Sequence, residues 1–154
     1  MSDITLLSAG KLMRAIPACD RRQYDALFES GTRLPRLALL VDRIAVAIAR
    51  ARRIHRQVAL LVLSDIRAGW STAPVNNQDV ALMLQCRLRH DDTVACVGDS
   101  VVVVCNAIDD DNDAELIVRR VLEILNTICR VGVTFSGQQE NAEHFLADAL
   151  GHFS

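Results

Sequence analysis

Residues 93–106 read TVACVGDSVVVVCN, and this stretch decides the fold. Two runs rich in β-branched residues, Thr93–Val97 and Val101–Asn106, flank the short polar link Gly98-Asp99-Ser100. A brief glycine-containing link between two such runs predicts a β-hairpin. Upstream, Gln57–Leu63 is a continuous apolar run of strand formers and reads as a buried strand. Downstream, Cys129–Phe135 reads as a fourth strand. Helical spacing fills the intervals. Gln78–Arg89 places Val80, Met83, Leu84 and Leu88 on one side. A second helix runs from about Ala114 to Asn126, and the acidic Asp109–Asp113 before it suits the positive end of a helix dipole.

Ahead of the first strand, Leu34–Arg53 opens with Pro35 in the first turn and repeats Leu37, Leu40, Val41, Ile44, Ala45 and Ile48 along one face. Arg67–Asn77 contains Gly69, Pro74, Asn76 and Asn77 and reads as a loop. Asn141–Leu150 is the last helix. The class is α/β (α+β). At its centre lies βαββαβ, the split-βαβ arrangement, expected as an antiparallel-containing sheet with helices packed on one face.

The chain has 154 residues, 51% hydrophobic and 23% charged, which suits one domain with a short appendage. Such a chain buries a core without disulfides or structural metal. Residues 1–33 form the expected N-terminal helical appendage and 34–154 the domain. Within the appendage, Leu6, Leu7, Leu12, Met13 and Ile16 mark one short helix that Pro17 limits. Asp20–Ser30 marks a second, capped by Asp20 and ended by Gly31. No apolar run nears the roughly 18 residues of a membrane span, and the early Asp3 argues against a secretory signal. The expected location is the cytoplasm, with no membrane partner.

The net charge of −2 hides an asymmetry: residues 1–56 carry eleven basic and five acidic groups, whereas 57–154 carry six basic and fourteen acidic. Arg33, Arg36, Arg43, Arg50, Arg52, Arg53 and Arg56 hold much of the basic share. Such a stripe suits nucleic acid or an acidic partner. No stacking aromatics are interleaved, so the solvated face of an amphipathic helix is the preferred reading and no nucleic-acid partner is expected. Cys19, Cys86, Cys96, Cys105 and Cys129 lack CxxC spacing and read as reduced, buried thiols, with no base placed to activate one. His55, His90, His144 and His152 lack ligand spacing and read as surface or boundary residues. No metal and no cofactor are expected.

The residues also resemble the GGDEF family, the diguanylate cyclase domains of bacterial cyclic di-GMP signalling. Thr32-Arg33-Leu34-Pro35-Arg36 followed by LALLVDRIAVAIARARR is similar to the family's LTGLPNR opening, one residue short. VALLVLSDI resembles its ALLxxDxDxF strand, RLRHDDTVA its approach to the signature hairpin, RVGVTF its SIGIA strand, and Ala147-Asp148-Ala149-Leu150 its ADxAM helix. The matches span about residues 32–150 and fall in the family's order.

The departures fall on the chemistry. The family's Gly-Gly-Asp/Glu-Glu-Phe turn aligns with Gly98-Asp99-Ser100-Val101-Val102. Asp99 replaces the second glycine, which lets backbone approach the nucleotide. Ser100 and Val101 replace the two acidic residues, and Ser64 stands where the family's first-strand aspartate binds metal. Asp65 follows, but neighbouring strand residues point to opposite faces. The stretch WSTAPVNNQD is shorter than its family counterpart and lacks a clear base-recognition asparagine. Family cyclases hold two divalent ions on carboxylates, and this residue set does not supply them. The resemblance therefore implies a catalytically inactive regulatory module, acting through another signalling protein or self-association.

One ligand motif of the family is retained. Arg89-His90-Asp91-Asp92 matches the Arg-x-x-Asp that binds cyclic di-GMP at an inhibitory site in many members, and the helper arginine falls on Arg119 or Arg120. Arg offers a planar donor fork, and Asp accepts from guanine N–H groups. The alternative function is thus a cyclic di-GMP receptor. Equally, Arg89 could simply close a helix end and Asp92 a turn.

Overall fold

A computed structural model describes residues 34–68, 75–89, 91–125, 127–137 and 141–151. The expected appendage helices and Cys19 lie outside these residues. The elements are α1 (Leu37–Arg53), β1 (Gln57–Ala68), α2 (Asn77–Arg87), β2 (Thr93–Val97), β3 (Ser100–Ile108), α3 (Asp111–Leu125), β4 (Thr127–Phe135) and α4 (Ala142–Gly151). The sheet order is β2-β3-β1-β4, and every pairing is antiparallel.

The helices do not pack on one face, as expected from the sequence, but on both. Leu61 and Leu63 of β1, with Val101, Val103 and Cys105 of β3, bury against α2 and α3. Leu60 and Val62 of β1, with Val102 and Val104 of β3, bury against α1 and α4. Successive strand residues alternate faces, so a strand apolar at every position needs cover on both sides. Val58–Leu63 and Val101–Cys105 are such runs, each residue at most 1% exposed. Full burial of one of these leucines contributes about 1.5–3 kcal/mol. No helix among the described residues is long and apolar enough to cross a membrane.

Local signals set the element ends. Leu34 and Pro35 precede α1 rather than forming its first turn, and Leu34 is fully buried. α1 ends with His55 at φ +58°, where the Arg56 N–H donates to the Ala51 carbonyl at 2.8 Å and the His55 N–H to that of Arg52 at 3.3 Å. This is the Schellman pattern, with histidine where glycine is usual. Asn76 caps α2, its Oδ1 accepting from the Gln78 N–H at 2.8 Å. Asp110 accepts from the Asp113 N–H at 3.1 Å, so the acidic segment caps α3 as well as suiting its dipole. Asn141 caps α4 by accepting from the His144 N–H at 3.0 Å.

β1 runs five residues beyond the predicted Leu63, to Ala68, through an irregularity between Ser64 and Arg67 where Asp65 has φ +51°. β4 lengthens to match, since Arg67 pairs with Ile128 and Ala68 with Thr127. The predicted burial of the cysteines holds only for Cys105; Cys86 is exposed and Cys96 and Cys129 are half-buried, all four free. The reason is position: Cys86 faces outward on α2, and Cys129 lies on a strand at the sheet's margin. His55 and His144 are exposed.

Candidate functional site

The hairpin link is two residues long, because Ser100 pairs with Val97 and belongs to β3. Gly98 has φ +57°, the sign a type II′ turn requires at its first central residue, and there L side chains are strained. Asp99 is exposed, and its carbonyl accepts from Asn77 Nδ2 at 2.8 Å. The Asn77 carbonyl in turn lies 3.6 Å from Cys96 Sγ. The N-terminus of α2 is thereby tied to the turn.

Pairing of Leu63 with Val101 brings the next residues together, and the Ser64 and Ser100 hydroxyls hydrogen-bond at 3.0 Å. Val101 and Val102 are fully buried, one on each face of the sheet. Asp65 is exposed on its left-handed backbone and pairs with Arg130 at 3.7 Å. Its carboxylate is thus turned to β4 rather than joined to the serine pair. Among the described residues, no group of three or more His, Cys, Asp or Glu is placed to hold a metal ion.

A second polar feature lies at the opposite end of β3. Arg89, Asp92 and Arg120 line one cavity of about 320 Å³, together with Arg56, Asp109, Asp113 and the apolar Leu88, Ile108, Leu116 and Ile117. Arg89 follows α2, Asp92 directly precedes β2, and Arg120 projects from α3. Asp92 Oδ1 accepts from the Asn106 N–H at 3.5 Å, and Asn106 Nδ2 donates to the Asp91 carbonyl. Partial burial pushes the Asp92 carboxyl above its ordinary range; the Asn106 hydrogen bond and the charges of Arg89 and Arg120 pull the other way. Arg120 also donates to the Arg87 carbonyl at 3.5 Å.

Of the two helper arginines expected from the sequence, only Arg120 reaches this cavity. Arg119 lines a different groove with Glu115, Val118, Val133 and Phe135, because adjacent helical residues point about 100° apart. Three cavity residues carry no weight in the sequence motif: Arg56, Asp109 and Asp113. Arg56 and Asp109 form an ion pair of 2.9 Å, and the Asp109 N–H donates to Asp113 Oδ2 at 3.1 Å. Their signal was positional, since Arg56 directly precedes β1 and Asp109 directly follows β3, antiparallel neighbours whose ends must meet. The cavity is therefore ringed by three guanidiniums and three carboxylates. That set can recognise a ligand bearing both anionic oxygens and amide-type N–H donors.

No family model matches the sequence, and no curated protein matches it. Among solved structures, the chain is similar to the GGDEF domain of YfiN, also called TpbB, from Pseudomonas aeruginosa. The likeness has a TM-score of 0.60 and 20% identity, over 77% of this chain and 86% of that one. At that identity the comparison speaks to the fold: an antiparallel four-stranded sheet between helices, built as in a GGDEF domain.

Proposed function

We propose that this chain is a catalytically inactive GGDEF-like regulatory module of bacterial cyclic di-GMP signalling, acting through protein–protein contacts. The observation that carries the reading is the Ser64–Ser100 hydroxyl pair at 3.0 Å. By the sequence resemblance, these positions and Val101 are where cyclases of the family carry carboxylates. Neutral hydroxyls are poor ligands for the divalent ions that bind a triphosphate and activate an attacking hydroxyl. Val101 is fully buried among apolar side chains, where a carboxylate would be strongly disfavoured. The test is incubation of the purified chain with GTP and Mg²⁺ or Mn²⁺. No cyclic di-GMP is expected. Product formation, with a contaminating cyclase excluded, would overturn the reading.

A second reading, a cyclic di-GMP receptor, is favoured by one observation: Arg89 and Asp92 of the α2–β2 link share a cavity with Arg120, which comes from a separate segment, α3. Such a site needs no metal and so is compatible with an inactive centre. Against it, Asp109 and Asp113 line the same cavity and oppose a dianion. Calorimetric titration of cyclic di-GMP into the wild type and Arg89→Ala decides between the readings. Loss of one charged hydrogen-bond partner costs about 1.5–3 kcal/mol, or roughly tenfold or more in affinity. No heat at high micromolar ligand, or equal affinity in the variant, leaves the interaction reading alone.

A further inference from the structure

β4 lies at the edge of the sheet, with β1 on one side and no strand on the other among the described residues. It is nine residues long, reads TICRVGVTF, and carries a single charged residue, Arg130. A long, mostly apolar edge is a template for pairing with another strand unless something blocks it. Beside this edge α3 leaves an open groove of about 510 Å³, floored by Val133 and Phe135 and walled by Ala114, Val118 and Leu122. Val133 and Phe135 are only half-buried, whereas Leu61 beside them on β1 is fully buried.

The rim of the groove indicates what covers it. Glu115 and Arg119 stand one turn apart on α3, both exposed, and neither forms an ion pair with another described residue. Opposite charges one turn apart beside an apolar groove are self-complementary. A twofold axis that sets α3 antiparallel to its copy brings each Glu115 to the other's Arg119. The same axis, centred on Val133, runs β4 antiparallel to the copy's β4. Phe135 then faces Val131 of the second copy, and Arg130 faces Ser136 rather than another arginine, so no like charges meet on the strand.

We propose that this face is the interface with a second copy of the chain: β4 pairs with β4 across a twofold axis, and the two α3 helices exchange Glu115–Arg119 ion pairs. The inference rests on the interaction reading above and names its partner and surface. Sedimentation velocity of the full chain over a range of concentrations tests it. The wild type is expected to be dimeric. Glu115→Arg and Arg119→Glu should each weaken the dimer by about tenfold or more, since each puts like charges across the axis. Both sites are exposed, so neither change threatens folding. An equimolar mixture of the two variants should dimerise again, because an all-arginine rim then meets an all-glutamate rim. A monomeric wild type, with residues 1–33 or another protein then covering the groove, would overturn the proposal. So would dimers indifferent to both reversals, or variants that fail to rescue each other. Cyclase activity in the same preparation would instead sink the inactive-module reading and leave this surface standing.

Discussion

The hydroxyl oxygens of Ser64 and Ser100 lie 3.0 Å apart, joining β1 to β3 at the hairpin end of the sheet. A neutral pair holds this spacing without a counter-ion, and two carboxylates would not. Ser64→Asp combined with Ser100→Asp is therefore expected to melt below the wild type. A mutual shift of one pKa unit between like charges corresponds to about 1.4 kcal/mol. Mn²⁺ or Mg²⁺ should recover part of the loss by binding the new oxygens. Thermal melts with and without metal read both effects, and a metal-free variant as stable as the wild type would contradict them.

Arg119 and Arg120 are neighbours in sequence and line different surfaces. If cyclic di-GMP binds, Arg120→Ala should weaken it by roughly tenfold or more, while Arg119→Ala should leave affinity unchanged. Calorimetry on both variants separates the two positions. An effect confined to Arg119→Ala would place the ligand outside the cavity.

Asp92 links stability to pH. Burial holds its folded pKa above the unfolded value, so between the two values the native state binds more protons and stability falls as pH rises through that window. Asp92→Asn keeps an acceptor for the Asn106 N–H and removes the titration. The variant should be more stable than the wild type at neutral pH, with the advantage shrinking as pH is lowered through the folded pKa of Asp92. Urea unfolding at about pH 7 and about pH 4 measures the difference. A constant difference would mean that this carboxyl is not the group responsible.

His55 occupies the left-handed position that ends α1, at φ +58°. Glycine adopts that backbone without the Cβ penalty, offset in part by its greater freedom when unfolded. His55→Gly should stabilise the protein by about 0.5–1 kcal/mol, a rise of a few degrees in melting temperature. A destabilised variant would show that the imidazole makes a contact worth more than the strain.

Leu60 and Leu61 are fully buried on opposite faces of β1. Replacing either by alanine should cost about 2–5 kcal/mol. A sheet covered on one face would lose this much at only one of the two sites. Denaturant unfolding of both variants distinguishes the cases.

Sequence by itself determined the order of elements and the hairpin. The apolar run Val101–Cys105 and the glycine at position 98 act locally, through alternation and a positive φ. The same run contained the evidence for two-sided cover, because a strand apolar at each position buries both faces; the expectation of helices on one face came from fold analogy and was wrong. Residues local to the motif were also legible: Gly98, Asp99 and Ser100 lie together at the hairpin turn, and Arg89 and Asp92 lie together three residues apart, whereas the meeting of Ser64 with Ser100 needed the pairing of β1 with β3. Only the tertiary structure decided that Arg120, not Arg119, joins them, since helical phase relative to the sheet is set by packing. It also decided that Arg56 and Asp109, 53 residues apart in the chain, close into an ion pair of 2.9 Å beside them. That β4 stands at the sheet's edge among the described residues was likewise illegible in sequence, because strand order depends on which neighbours pair, and no local pattern states which strand stands last.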